Sequence, residues 1–271
     1  MRELVVAGDG LRLAYHRDDF TKPWKKAQTI VLIHGACGSH RRFYAWVPRL
    51  ARHYCVVRLD LRGHGDSEVP PPESELSMDR LVRDTVETLD HLGVDAVHVV
   101  GASAGGYVAQ NLAIAAGERV KSLVLLGSTA GLKKSQTNTW PARIAAEGLR
   151  PFLAATIADR FPLERTDPGL VEWFLDDCSR TDPNFAARFI AYMSSLDWSD
   201  RLSDIRCPTL ILVPGQETIG SNENYDVMRE RIPDVQLIPY AGYPHNFFDS
   251  DPDRCIDDTL GFLDRRFGDA V

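Results

Sequence analysis

Three separated stretches carry residue types that together can open an acyl bond. Gly101-Ala102-Ser103-Ala104-Gly105 reads G-x-S-x-G, with the apolar run Ala96 to Val100 before it and a helix-like run after it. A strand-to-helix turn of that kind lifts a serine hydroxyl above a parallel sheet. The glycines leave room for the sharp turn, and the serine must accept a strained backbone. A helix opening at Ala104 aims unpaired N–H groups and a positive dipole end toward that hydroxyl. A serine hydroxyl is a poor nucleophile until a base takes its proton, and the base needs an acid to hold its tautomer. His245, in Ala241-Gly242-Tyr243-Pro244-His245-Asn246, follows the last apolar run and precedes the last helix pattern. Glu217 stands just past the run Pro208 to Val213 and precedes His245 by 28 positions (245 − 217). Asp226, in a helix-like segment, is the alternative acid. A developing oxyanion needs two preorganised donors. One is expected from the N–H of Ala104, the other from the loop after Thr29–Ile33, with Ala36 first and Cys37 second.

Asp60-Leu61-Arg62-Gly63-His64-Gly65-Asp66-Ser67 brings two aspartates and a histidine into one loop. Its glycines do not follow a phosphate-loop pattern and no matching ligand cluster occurs elsewhere, so a braced structural loop is expected and no metal site. Cys37, Cys55, Cys178, Cys207 and Cys255 are scattered and odd in number. They read as small buried apolar residues in a reducing compartment.

The elements that must position these groups alternate. Leu4–Val6 and Leu11–His16 flank Gly8-Asp9-Gly10 and predict a hairpin. Thr29–Ile33, Cys55–Leu59, Ala96–Val100, Val120–Leu126, Pro208–Val213 and Val235–Ile238 read as strands, most of them continuously apolar and so buried on both faces. Phe43–His53 reads as a helix. A further helix starts at the cap Ser77, repeats Leu81, Val82, Thr85, Val86, Leu89 and Leu92 on one face, and ends at Gly93. The last helix runs from Asp253 to Arg266. Strand–helix alternation predicts a mostly parallel sheet with helices on both faces and chemistry at the carboxyl ends of the strands. Between 131 and 201 the alternation stops, and helix-like segments rich in Trp and Phe follow with no clear strand.

The chain is 271 residues long, with 44% hydrophobic and 25% charged residues, enough for a sizeable core. A net charge of −7 argues against nucleic acid or an anionic membrane as the main partner. The start lacks signal-peptide character, and no apolar run reaches the roughly 18 residues a bilayer span needs. A cytoplasmic protein acting on a small molecule is expected, and a homodimer is left open.

His34-Gly35-x-x-Gly38, Asp60-x-Arg62-Gly63-His64-Gly65-x-Ser67 and Gly101-x-Ser103-x-Gly105-Gly106, in this order, resemble the motifs of the α/β-hydrolase superfamily, in its subgroup with a helical cap after the sixth strand. Trp140-x-x-Arg143, Gly148-Leu149, Arg160-Phe161 and Thr181-Asp182-Pro183 resemble the cap of 3-oxoadipate enol-lactonases and related esterases. The resemblance implies an eight-stranded α/β-hydrolase core over 1–130 and 202–271, with a cap over 131–201. It implies no cofactor, an acyl-enzyme on Ser103 formed from a small ester or lactone, and Cys37, Trp140 and Arg143 beside the substrate, with Arg143 facing a substrate carboxylate. A carbon–carbon hydrolase or lyase using the same Ser103, Glu217 and His245 is the alternative, and a non-catalytic small-molecule binder is a further one. Two loops depart from the family pattern. Thr218 stands where G-x-x-D has its acid, with Glu217 one residue early, and Tyr243-Pro244 separate the glycine from His245.

Overall fold

The structure, a computed structural model, describes residues 2–133 and 135–268. Residue 134, inside the expected cap, and residues 1 and 269–271 of the expected core lie outside the described residues.

Eight strands form one sheet: β1 (Arg2–Val6), β2 (Arg12–Asp18), β3 (Gln28–Ile33), β4 (Tyr54–Leu59), β5 (Val97–Ala102), β6 (Val120–Leu126), β7 (Thr209–Pro214) and β8 (Val235–Tyr240). Their spatial order is β1-β2-β4-β3-β5-β6-β7-β8. The opening hairpin is antiparallel, with Val5 opposite Leu13, and every pair from β4 to β8 is parallel. The helices, in chain order, are α1 (Val47–Leu50), α2 (Met78–His91), α3 (Ala104–Ala115), α4 (Trp140–Glu147), α5 (Leu149–Ala155), α6 (Pro168–Cys178), α7 (Pro183–Ser194), α8 (Asn222–Arg231), α9 (Phe247–Ser250) and α10 (Pro252–Phe267).

Successive strand residues point to opposite faces, so the apolar runs feed two cores at once. Val31, Ile33, Val99, Leu123 and Ile211 pack on one face with α2 and α3. Ile30, Leu32, Val100, Val124 and Leu210 pack on the other with Trp46, Phe247, Ile256 and Leu263. The four helices between β6 and β7 close around their own cluster of Trp140, Ile144, Phe152, Phe161 and Phe174, which Cys37 and Ile219 join from the loops below. Sequence sets their starts: Asp167 and Asp182 each precede a proline at the first helical turn and accept from Gly169 N (2.7 Å) and Phe185 N (2.8 Å).

The expected helix over Phe43–His53 is much shorter. A 3₁₀ turn, His40–Phe43, precedes α1, and Pro48 at the second position of α1 has no N–H to continue a helix from Phe43. All five cysteines are buried and unbridged. No helix among the described residues is long and apolar enough to cross a membrane.

Candidate active site

β5 ends at Ala102 and α3 begins at Ala104, so Ser103 alone makes the turn, at φ 51° and ψ −120°. Its N–H donates to Leu126 O (2.9 Å), and its carbonyl accepts from Gly106 N (2.9 Å) and Ser128 Oγ (2.8 Å). Three hydrogen bonds thus hold a conformation that L residues avoid. The turn also demands contact between α3 and the end of β3: a Cβ at Gly105 would stand 2.2 Å from Ile33 O. Gly105→Ala should therefore lower stability by about 3 kcal/mol, roughly a 6–12 °C fall in Tm. A thermal melt within 2 °C or so of wild type would disprove this packing argument.

His245 lies in the loop after β8 and is buried. Its Nε2 is 2.9 Å from Ser103 Oγ, and its Nδ1 is 2.9 Å and 3.1 Å from the two carboxylate oxygens of Glu217. A carboxylate only accepts, so Nδ1 carries the proton and Nε2 presents its lone pair to the serine hydroxyl. The loops from β7 and β8 are tied together: Gly215 N donates to Tyr240 O (2.9 Å) and Gln216 N to Tyr243 O (3.0 Å). Tyr243-Pro244 thus lie on a path that the β7 loop grips. Glutamate has one methylene more than aspartate, and that extra reach offsets its one-residue-early position. Its Oε1 accepts from Ile219 N (2.8 Å) and Gly220 N (3.0 Å), its Oε2 from the Tyr225 hydroxyl (3.3 Å). Burial alone would push the Glu217 carboxyl up. Attraction to His245 and these hydrogen bonds outweigh it, and the group is held down at about 2. Asp226, the alternative acid, is exposed on α8 and pairs with Arg229 (2.8 Å).

Ser103 and His245 open into a cavity of about 60 Å³ lined also by Ala36, Cys37, Arg42, Trp140, Arg160 and Asn246. Ala104, first in α3, has an N–H without an intrahelical acceptor. The Ala36 N–H makes no hydrogen bond among the described residues. Cys37 and Ser103 are the two non-glycine residues with left-handed φ among the described residues, and both line this cavity. His34 braces the donor loop from beneath: its Nδ1 donates to Gly35 O (2.7 Å) and its Nε2 accepts from Leu61 N (3.1 Å).

A family model described as the alpha/beta hydrolase fold matches residues 28–252 of this chain. The chain belongs to the α/β-hydrolase fold family. Within this family of hydrolases it is 26% identical over 215 residues to 3-oxoadipate enol-lactonase 1 of Acinetobacter baylyi, a match spanning 77% of this chain and 78% of that protein. It is 25% identical over 264 residues to the 2-hydroxy-6-oxo-6-(2'-aminophenyl)hexa-2,4-dienoic acid hydrolase of Metapseudomonas resinovorans, spanning 89% and 86%. The crystal structure of a hydrolase from Pseudomonas aeruginosa PA01 superposes with a TM-score of 0.86 at 30% identity, covering 97% of this chain and 98% of that one.

Not every expected residue of this α/β-hydrolase reaches the cavity. Trp140 and Cys37 line it. Arg143 is not among its lining residues: it pairs with Glu147 one turn along α4 (2.8 Å), with its guanidinium over Phe152, which does line the cavity. The arginine that does line the cavity is Arg160, which sequence reading singled out only as part of a cap motif. Tyr225 also went unread, because one tyrosine on a polar helix gives no sign of its partner.

The Asp60–Ser67 loop is braced as expected. Asp60 accepts from His40 N (2.6 Å) and Asp66 N (2.9 Å), and Arg62 pairs with Asp84 and Asp9. His16, His40, Asp60 and Asp66 nonetheless bring four donor atoms within 4.8 Å of one another, a grouping no sequence pattern displayed. The two imidazoles stack at 3.6 Å and 16°, so a shared ion would lie off the plane of both rings unless one swung out.

Proposed function

We propose that this α/β-hydrolase cleaves a small-molecule ester or lactone through an acyl-enzyme on Ser103. The observation that carries this reading is the unbroken line from Ser103 Oγ through His245 to the buried Glu217 carboxylate, with links of 2.9 Å and 2.9 Å. His245 Nε2 takes the hydroxyl proton as Oγ attacks the acyl carbonyl, and Glu217 steadies the imidazolium that forms. The N–H groups of Ala104 and Ala36 receive the oxyanion. His245 then protonates the leaving alkoxide, which for a lactone stays tethered to the acyl group. Water, deprotonated by the same Nε2, attacks the acyl-enzyme, and the proton returns to Ser103 as the acid leaves. The helices of 131–201 act as a cap that keeps bulk water from the acyl-enzyme, over a core formed by the segments on either side. The five unbridged cysteines support a reducing, cytoplasmic setting.

The enol-lactonase relative supports a lactone or ester, and the dienoic acid hydrolase relative makes the carbon–carbon bond the competing target. Labelling with a fluorophosphonate probe tests the activated serine without knowledge of the substrate. The expected result is a single adduct on Ser103 that competes with hydrolysis of an aryl ester. Turnover of a dienoate-type diketone with no aryl-ester hydrolysis would redirect the reading to carbon–carbon cleavage, and an unlabelled Ser103 would reject it.

A further inference from the structure

We propose that the loop between β2 and β3, residues 19–27, is an adsorption surface for a bilayer leaflet rich in acidic phospholipid. Adsorption there does not depend on which bond Ser103 attacks.

The chain uses lysine sparingly. Six of its 31 basic residues are lysines, and three of the six are Lys22, Lys25 and Lys26. All three are exposed, and their ammonium groups make no hydrogen bond or ion pair among the described residues. The acids beside them are already engaged. Asp18 pairs with Arg58 (2.7 Å), and Asp19 accepts from Thr21 N (3.0 Å) and Thr21 Oγ1 (2.7 Å). Around the same end of the sheet, exposed Arg52 and Lys121 balance exposed Asp95 and Glu118. The three lysines are therefore a local positive excess on a chain of net charge −7. That average argues against an anionic membrane, but in 0.1 M salt charges beyond about 10 Å are largely screened and the local ones decide.

Two aromatic side chains share the loop. Phe20 is 65% exposed and Trp24 76%, the most exposed large apolar side chain among the described residues. The backbone that presents them is held: Phe20 N donates to Ala51 O (2.9 Å) and Lys25 N to Lys22 O (3.0 Å). An indole flanked by lysines suits the headgroup level of a bilayer, where the ring meets the acyl boundary and the ammonium groups meet phosphate. A protein partner would have to order three flexible lysines, a cost that a fluid headgroup layer does not impose.

Topology sets the orientation. The loop joins Asp18 at the end of β2 to Gln28, which lies opposite Tyr54, and Thr29 lies opposite Val97. Tyr54 and Val97 are the first residues of β4 and β5, so the loop is at the amino ends of the parallel strands. Ser103 follows the other end of β5, whose six residues rise about 20 Å. A protein adsorbed by this loop turns Ser103 and the helices of 131–201 away from the bilayer, toward dissolved substrate.

The test is co-sedimentation of the full chain with vesicles of phosphatidylcholine alone or mixed equally with phosphatidylglycerol, at low and high salt. At low salt, partitioning onto the mixed vesicles should exceed that onto phosphatidylcholine about 100-fold, from about fivefold per lysine. The excess should vanish at high salt. The combined variant Lys22→Glu, Lys25→Glu, Lys26→Glu should lose it, and Trp24→Ala should weaken binding at least about tenfold. Lipids brominated on their acyl chains should quench Trp24, since Trp46, Trp140 and Trp198 are buried. Trp24→Phe should lose that quenching and stay bound. Each variant should melt as wild type does, because the changed side chains are exposed. Absent or equal partitioning, acidic-lipid binding that survives the combined variant, or binding without quenching of Trp24 overturns the adsorption surface. So does a wild-type dimer that ignores vesicles and that the combined variant dissociates, which would assign the loop to a second copy of this acidic chain.

Discussion

Ser103→Ala lowers kcat about 10⁵-fold or more and leaves the protein folded. The magnitude follows from the proposed mechanism, in which Ser103 Oγ forms the acyl intermediate, since groups that act as a unit lose nearly everything when the nucleophile goes. The fold should survive because the one hydrogen bond of the Ser103 hydroxyl is to His245, and the strained turn is held by backbone contacts to Leu126, Gly106 and Ser128. Aryl-ester turnover and a thermal melt on the same sample check both halves. Retention of more than about a hundredth of the activity would show that another group does the chemistry.

Glu217→Gln should cost about 10⁴-fold in kcat by presenting the imidazole with the wrong tautomer, whereas Asp226→Asn on the exposed face of α8 should leave the rate near wild type. The substitution also carries a pH signature. The ordinary glutamate value is 4.5 and the folded value lies near 2, so the folded state binds the proton more weakly than the unfolded chain. The stabilisation from the ionised carboxylate is then complete above about pH 4.5, and it is lost as pH falls through about 2. Urea unfolding of wild type and Glu217→Gln should show a stability gap at pH 7 that closes toward pH 2. A near-normal rate in Glu217→Gln, or a gap that does not change with pH, would remove Glu217 from the role.

Periodicity made the sheet legible, because β3 to β7 are buried on both faces and their apolar runs announce it. The serine turn was legible for a related reason: G-x-S-x-G records a close approach, and the 2.2 Å clash at Gly105 is its physical content. Glu217 was legible from strand order. How it meets His245 was not, since that depends on hydrogen bonds between Gly215, Gln216, Tyr240 and Tyr243 across loops far apart in sequence. Phe43–His53 misled because helical composition outweighed Pro48. Arg143 and Arg160 show the sharper limit. Both lie in helical, aromatic surroundings, and only tertiary packing decides that one meets Glu147 at the surface while the other is enclosed without an acid.

The backbone clamp on the histidine loop bears on how this protein can be re-engineered. His245 N and Asn246 N are held by the carbonyls of Asp159 and Arg160, which belong to the helical segment between β6 and β7. That segment is therefore no interchangeable module. A chimera that replaces it with a foreign segment must rebuild two carbonyl acceptors at the same place, or it leaves the loop of His245 cut loose from its mooring.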